Sequence, residues 1–249
     1  MIKIEAIILA AGYATRLYPL TENTPKPLLA VAGKPIIEHI VEKLEHITLI
    51  NRIYVITNGK FEQHFKNWLA GFESGKAIEI INDGTNNNED RLGALGDINF
   101  IINLKGIDDD FLVVAGDNLF EMPLSDVVNF FKKRKSNVIV LHDVLDFELA
   151  KHYGIVEVRN GIVANFEEKP KSPKSTLAST GIYMFPKKTV ELIKKYVAQG
   201  NNADKTGNFI EWLHKRDNVL SYVTDKRWYD IGTVEQLKKA DREYKESRR

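Results

Sequence analysis

The sequence predicts an α/β protein whose mostly parallel, mixed sheet carries helices on both faces. Continuous apolar runs of strand length alternate with segments whose apolar positions have helical spacing. After about residue 150 this alternation ends, and strands follow one another without full helices between them. Hydrophobic residues make up 43% of the 249-residue chain, so a sheet of this kind can be covered on both faces.

The first half of the chain alternates strands and helices. The apolar runs predict strands at residues 4–9, 52–57, 77–81, 111–115 and 137–141. Helical spacing predicts helices at residues 35–44, 61–69, 92–104 and 124–133. Because a helix between two strands returns the chain to the same end of the sheet, this order predicts βαβ units with parallel strands.

The second half is expected to add strands of mixed direction. The sequence predicts strands at residues 154–158, 162–166, 181–185 and 218–224. It predicts helices at residues 187–197, 209–214 and 234–246. The charged tail over residues 242–249 is typical of a solvated helix end. The chain ends soon after the last helix, so we expect one domain over residues 1–249.

The composition excludes several classes of protein and site. The 35 basic and 34 acidic residues give a net charge of +1, whereas nucleic-acid and membrane-surface proteins usually need a strong basic excess. Without cysteine, disulfides, thiolate metal sites and a cysteine nucleophile are excluded. The six histidines show no metal-ligand spacing. No apolar run approaches the ~20 residues that span a bilayer, and no signal peptide is predicted, so the expected location is the cytoplasm.

The loop at residues 9–27 follows the first strand, and ligands of such sheets bind at the carboxyl ends of strands. Small residues at positions 10–12 would let backbone N–H groups approach a phosphate closely. Arg16 could form a forked contact with phosphate, and Lys26 offers a compact charge in a stretch stiffened by prolines. On residue types alone, a connecting loop with two solvated cations remains an open alternative.

The same loop resembles the N-terminal signature of the sugar-nucleotide pyrophosphorylases, a nucleotidyltransferase superfamily that includes glucose-1-phosphate thymidylyltransferases. The matching positions are Gly12, Thr15, Arg16, Pro19, Pro25 and Lys26. Ala14 stands where the family usually has glycine, so the loop is expected to differ slightly in shape. Further segments resemble family motifs at residues 113–118, 153–157, 166–170, 179–183 and 228–233. The resemblance implies a Rossmann-like, GT-A-like nucleotidyltransferase fold.

The resemblance also implies a reaction. A nucleoside triphosphate, with dTTP or UTP favoured, would condense with a sugar 1-phosphate and release pyrophosphate, with Mg²⁺ as cofactor. Residues 1–150 would form the nucleotide-binding half, and residues 151–249 the acceptor-binding half with the closing helix. Because the chain stops after that helix, the second, acetyltransferase activity of some relatives is not expected.

The resemblance assigns roles to individual residues. The catalytic cations would be Arg16, Lys26 and Lys169, and the metal ligands Asp117 and Asp230. The nucleotide-binding residues would be Leu9, Ala11, Gly12, Thr15, Asn82 and Gly93. The acceptor-binding residues would be Gly154, Glu168, Thr180 and Tyr183.

Two other functions stay open at this stage. Residues 83–91 are not usual in the sugar enzymes, and their Thr-Asn-Asn run resembles the phosphocholine cytidylyltransferases. A CTP-dependent enzyme for phosphocholine or a similar phospho-alcohol is therefore the second hypothesis. Some relatives are non-catalytic subunits that bind sugar nucleotides, although the cations and carboxylates implied above are all present here. Relatives are often dimers or tetramers, so a homo-oligomer is a possible form, with no nucleic acid or membrane as partner.

Overall fold

The structure is a computed structural model that describes residues 3–246. Its strands are β1 Ile4–Leu9, β2 Ala30–Val31, β3 Lys34–Pro35, β4 Ile50–Thr57, β5 Ala77–Asn82, β6 Asp110–Ala115, β7 Leu119–Phe120, β8 Asn137–Asp143, β9 Gly154–Arg159, β10 Ile162–Glu168, β11 Leu177–Phe185, β12 Val219–Thr224 and β13 Trp228–Tyr229. Its α-helices are α1 Ile36–Glu45, α2 Glu62–Ala70, α3 Ala94–Lys105, α4 Leu124–Arg134, α5 Phe147–Ala150, α6 Thr189–Ala198, α7 Thr206–Leu213 and α8 Val234–Glu246.

Nine of these strands form one sheet in the order β5-β4-β1-β6-β11-β8-β12-β10-β9. The four strands from β5 to β6 are parallel to their neighbours, as the βαβ pattern of the first half predicts. Strand β11 runs antiparallel to both β6 and β8, and β9 and β10 form an antiparallel hairpin. The end of the regular strand–helix alternation after residue 150 therefore marks the point where the sheet becomes mixed.

Side chains on the two faces of the sheet form two hydrophobic cores. Successive residues of β6 alternate between them: Leu112 and Val114 belong to one core, and Phe111 and Val113 to the other. Helices α1, α2 and α4 cover the first core, and helices α3, α6 and α7 cover the second. Helices thus lie on both faces of the sheet, which confirms the predicted class.

The predicted elements are present, with bounds that shift by a few residues. Strand β11 begins at Leu177 rather than at 181, and its register against β8 shifts between Ser179 and Tyr183, where Gly181 has φ +75°. The short pairs β2–β3 and β7–β13 were not predicted, because two-residue strands are too short to show alternation.

The ends of the chain are described in part. None of the helices between residues 3 and 246 combines the length and hydrophobicity of a membrane-spanning segment. Helix α8 matches the predicted closing helix, and residues 247–249 of the charged tail lie outside the described residues.

Candidate active site

Two cavities open at the carboxyl ends of the central strands. The first has a volume of about 310 Å³ and is bounded mainly by the loops that follow β1, β5 and β6. The second, of about 690 Å³, extends toward β9, β10, β11 and α7. The residues that line both cavities are Leu9, Arg16, Ala94, Ala115 and Asp117. The two spaces therefore share one wall, and we call them the first and second cavities.

A close backbone contact forms that wall. The N–H of Gly116 donates to the carbonyl oxygen of Leu9 at 2.8 Å, just beyond the ends of β6 and β1. A Cβ atom at position 116 would lie 2.7 Å from the same oxygen, so a larger residue would push the two strand ends apart. Glycine at position 116 allows this close approach, and the next residue, Asp117, then lies between the cavities.

Lys26 reaches across the fold to Asp117. Lys26 begins a short 3₁₀ turn at Lys26–Leu28, preceded by Pro25 in an extended conformation, and only 6% of its surface is exposed. Its Nζ donates to Oδ2 of Asp117 at 2.7 Å. Burial alone would raise the pKa of Asp117, but the charge and hydrogen bond of Lys26 outweigh it, and the pKa is lowered. The Asp117 side chain, 46% exposed, is thus an ionised carboxylate that faces both cavities.

The pairing of β7 with β13 brings the second carboxylate into the site. In this antiparallel ladder Leu119 lies opposite Tyr229, so the residues just outside the pair, including Asp117 and Asp230, lie at the same end. The indole Nε1 of Trp228 donates to Oδ1 of Asn118 at 2.7 Å and secures the ladder. The short β7–β13 pair thus brings Asp117 and Asp230 to the same site, although more than a hundred residues separate them in sequence.

Asp230 lines the second cavity and is partly buried. Burial raises its pKa and the charge of Asp117 adds to the rise, while Lys26 and a hydrogen bond from Tyr153 oppose it. Burial, and then the charge of Asp230, raises the pKa of Tyr153 to about 12, so its hydroxyl stays protonated as a donor. Two carboxylates that repel each other beside an open cavity suit a divalent cation. Among the described residues no cluster of three potential metal ligands exists. A Mg²⁺ ion held by the two carboxylates would take its remaining ligands from phosphates and water.

The second cavity contains further cations and two constricted glycines. Lys169 has a left-handed backbone, with φ +50°, and its N–H donates to the carbonyl of Tyr153 at 2.9 Å. Nζ of Lys205 donates to Oε1 of Glu168 at 3.0 Å. A Cβ at Gly154 or Gly207 would come within 2.6 or 2.5 Å of the Phe166 ring. Glycine at both positions leaves the ring and the Glu168 carboxylate where they line the cavity.

A comparison with protein families decides which family this site belongs to. A family model described as Nucleotidyl transferase matches residues 5–247. The chain belongs to this family. The assignment confirms the resemblance that the sequence motifs indicate.

Two relatives of this nucleotidyl transferase differ in length. The bifunctional protein GlmU of Methanocaldococcus jannaschii is 35% identical over 237 residues, which are 92% of this chain and 51% of the relative. The chain therefore spans about half the length of that relative. The UTP–glucose-1-phosphate uridylyltransferase AglF of Haloferax volcanii is 27% identical over 249 residues, covering 98% of this chain and 97% of the relative.

Solved structures share the fold of this chain. A Bacillus anthracis protein, provisionally identified as a glucose-1-phosphate thymidylyltransferase and bound to sucrose, is 28% identical with a TM-score of 0.84. The similarity covers 97% of this chain and 95% of that one. A UDP-glucose pyrophosphorylase complexed with UDP-glucose, 22% identical, has the same fold with a TM-score of 0.81. These structures confirm the predicted fold class.

Most of the predicted site residues of the nucleotidyl transferase line the two cavities. They are Leu9, Ala11, Gly12, Arg16, Lys26, Gly93, Asp117, Gly154, Glu168, Lys169, Tyr183 and Asp230. Thr15, Asn82 and Thr180 line neither cavity. The Asn82 amide donates to Glu62 at 3.0 Å, and its oxygen accepts from the N–H of Gly84 at 2.8 Å.

Thr180 lies next to the site. Its hydroxyl donates to the carbonyl of Val140 at 3.0 Å, and its own carbonyl accepts from the Asn118 amide. Because Asn118 in turn holds Trp228, Thr180 supports the β7–β13 ladder that positions Asp230. Thr180 therefore lies behind the cavity wall and supports it.

Sequence reasoning missed an acid pair in the first cavity, Asp83 and Asp97, which are 6% and 5% exposed. Oδ1 of Asp83 accepts from the N–H and hydroxyl of Thr85, both at 2.8 Å. Oδ2 of Asp83 and Oδ1 of Asp97 are buried without a donor. Burial, and then the neighbouring charge of Asp83, raises the pKa of Asp97 to about 8. The available signal was an aspartate placed between the apolar residues Leu95 and Ile98 in the first turn of α3.

Replacing Asp97 with asparagine should change how stability depends on pH. Folded Asp97 holds a proton up to pH ~8, whereas the unfolded chain loses it near the ordinary value of 3.8, so the free energy of unfolding falls as pH rises between these values. Asp97→Asn removes this contribution, worth up to about 1.4 kcal/mol per pH unit. Urea melts at pH 5, 6, 7, 8 and 9 would show a smaller decline for the variant. A difference between variant and wild type that stays constant over this range would contradict the expectation.

Proposed function

We propose that this nucleotidyl transferase condenses a nucleoside triphosphate with a sugar 1-phosphate to give a nucleoside-diphosphate sugar and pyrophosphate. The observation that supports this most is the shared wall between the cavities. Arg16 and Asp117 line both cavities, and Lys26 is hydrogen-bonded to Asp117 there. Two phosphorylated ligands that enter from opposite sides would bring their phosphates together at this wall.

The first cavity suits the triphosphate. Small residues at positions 10–12 leave its wall open to close approach, and no hydrogen bond within the described part of the chain occupies the backbone N–H of Ala11 or Gly12. These N–H groups can donate to the nucleotide. Arg16 and Lys26 lie at the phosphate end, where they would hold the triphosphate and the departing pyrophosphate.

The second cavity suits a phosphorylated polyol. Lys169 supplies a cation for the acceptor phosphate, and Glu168 and Tyr183 supply polar atoms for hydroxyl groups. A sugar fits this mixture of carboxylate, hydroxyl and ring surfaces. We therefore propose residues 151–249 as the main acceptor-binding half, with residues 1–150 binding most of the nucleotide.

The reaction needs no general base. A phosphate oxygen of the acceptor, already ionised at neutral pH, attacks the α-phosphorus, and the bond from that phosphorus to the pyrophosphate oxygen breaks. Arg16, Lys26 and Lys169 would hold and neutralise the phosphates while charge spreads over the transition state. Asp117 and Asp230 would bind Mg²⁺, which when bound supplies charge neutralisation to the phosphate oxygens. The catalytic set is then one of cations and metal ligands.

Pyrophosphate release from purified protein tests the proposal. The protein would be incubated in Mg²⁺ with UTP, dTTP, CTP, ATP or GTP and with a panel of sugar 1-phosphates or phosphocholine. UTP and dTTP come first because the relatives' names refer to uridylyl and thymidylyl transfer. Release that depends on a sugar 1-phosphate supports the proposal, and release with phosphocholine alone favours the second hypothesis. Tight binding of nucleoside-diphosphate sugars with no release from any pair would indicate a non-catalytic subunit.

A further inference from the structure

The acid pair lies at the nucleoside end of the first cavity. Asp83 directly follows β5, which is three strands away from β6, the strand that leads to Asp117. At about 4.8 Å between neighbouring strands, this separation is roughly 14 Å, enough for a nucleoside to lie between the two strand ends. A carboxylate pair would also repel phosphates. The pair therefore faces the base rather than the triphosphate.

The contact between the two carboxyl groups requires a proton. Asp83 Oδ1 is already occupied by two donors from Thr85, whereas Asp83 Oδ2 and Asp97 Oδ1 are buried without a donor. Ionised carboxylates only accept hydrogen bonds, so the contact between these two side chains needs a proton between them. Burial raises the pKa of both groups, which keeps this proton in place at neutral pH. Asp97 then presents its other oxygen to the cavity as an acceptor.

Two side-chain donors near the pair already form hydrogen bonds within the protein. The Asn82 amide, next to Asp83 in sequence, donates to Glu62. Arg91 lines the same cavity, and its Nε donates to Asp204 at 3.0 Å while Nη1 donates to the carbonyl of Asn88 at 2.8 Å. Among the described side chains that line this cavity, Asp97 offers an acceptor and none carries an amide group.

This arrangement distinguishes bases that differ in one group. Uracil and thymine present O4, which needs a donor. If Asp97 gave its proton to O4, the buried Asp83 Oδ2 would lose its donor, and an unpaired buried charge is costly. Cytosine presents an amino group at the same position, which donates to Asp97 and leaves the shared proton in place.

We propose that Asp83 and Asp97 select a nucleobase with an exocyclic amino group, so that CTP is preferred to UTP and dTTP. This inference rests on the proposed function and names the nucleotide for the same site. Asp97 is the residue that contacts the base, and Asp83 is a positioning residue that holds the proton of Asp97.

Calorimetric titration of the protein with CTP and with UTP tests the inference directly, because the two nucleotides differ at position 4 of the base. CTP is expected to bind about 10- to 100-fold more tightly, the effect of leaving a buried polar group unpaired. ATP and GTP, which also carry amino groups, serve as further probes, and a preference for either over UTP supports the role of the pair. Equal or tighter binding of UTP or dTTP would overturn it.

Two variants separate recognition from structural support. Asp97→Ala removes the acceptor and should bring the ratio of CTP to UTP affinity close to one. Asp97→Asn keeps an acceptor for the base and an N–H for Asp83, and should retain the CTP preference. If Asp97 had a structural role alone, both affinities would fall together in Asp97→Ala with the ratio unchanged, and the inference would be rejected.

The experiments distinguish a failure of the base preference from a failure of the proposed function. Pyrophosphate release with UTP, but no faster release with CTP, would keep the proposed function and overturn the base preference. Tight, selective CTP binding without pyrophosphate release from any acceptor would support the base preference and reject the proposed function.

Discussion

Replacing Lys26 with alanine is expected to lower the rate of pyrophosphate release about 10²- to 10³-fold, the usual cost of losing one fixed donor to a developing charge. Lys26 is buried and rigidly placed, and its partner Asp117 lies at the wall shared by both cavities. Alanine removes a positive charge at the wall where the two phosphates would meet and also leaves Asp117 without its hydrogen bond from Lys26. The rate would be measured at saturating concentrations of both substrates, so that weaker binding does not account for the loss.

Lys34 offers a matched control for this variant. It lies in the same N-terminal region and is paired with Glu42, yet it lines neither cavity. Lys34→Ala is expected to keep the wild-type rate. Circular dichroism melts of both variants would show whether folding is preserved. Wild-type turnover in a folded Lys26→Ala protein would be incompatible with the proposed role.

The fold was largely predictable because its strands are long and buried on both sides. Runs such as residues 4–9 and 111–115 have no polar face, and this is typical of central strands in a parallel sheet. Strand β11 was placed only in part, since its first four residues, at 177–180, are two apolar residues followed by two polar ones and precede a glycine with positive φ. Helix α5 and the two-residue ladders lie below the length at which periodicity can be detected.

The candidate site was predictable where a motif is local and not where it depends on packing. The loop with Arg16 and Lys26 is continuous in sequence, so its residue types allowed a phosphate site beside the alternative of a connecting loop, and the local motif carried the resemblance. The proximity of Asp117 and Asp230 depends on the β7–β13 ladder, which no periodic pattern indicates, and so it was implied only by the resemblance. Tertiary contacts of this kind are what single-sequence reasoning lacks.

At the base end of the first cavity, too, the site residues depend on tertiary contacts that the sequence does not show. Asn82 was predicted as a nucleotide contact because of its position after β5, but its amide is turned to Glu62, and the next residue, Asp83, lines the cavity. One position along a strand end changes the face on which a side chain lies. Asp97 was missed because an aspartate in the first turn of a helix is ordinarily a favourable surface residue. Its burial follows from the approach of Asp83, which only the fold shows.

Replacing Asp230 with asparagine is expected to raise the Mg²⁺ concentration required for half-maximal pyrophosphate release by about 10- to 100-fold. Asparagine has the same size and keeps an oxygen, but it lacks the charge that a dication requires. Chelation with EDTA should abolish release from the wild-type protein, and added Mg²⁺ should restore it. The Mg²⁺ titration would be carried out with both substrates saturating.

Lys169→Ala provides the contrast that makes this result specific. Lys169 lines the second cavity without being a carboxylate ligand, so its loss should raise the KM for the sugar 1-phosphate and leave the Mg²⁺ requirement unchanged. The two variants then distinguish two roles in the second cavity: Asp230 binds the metal, and Lys169 binds the acceptor phosphate. If Asp230→Asn changed the acceptor KM but not the Mg²⁺ requirement, Asp230 would belong with the acceptor-binding residues, and Asp117 would be left as the sole carboxylate assigned to the ion. That assignment would in turn require the substrate phosphates to supply more of the ligands, because one carboxylate and water bind Mg²⁺ weakly.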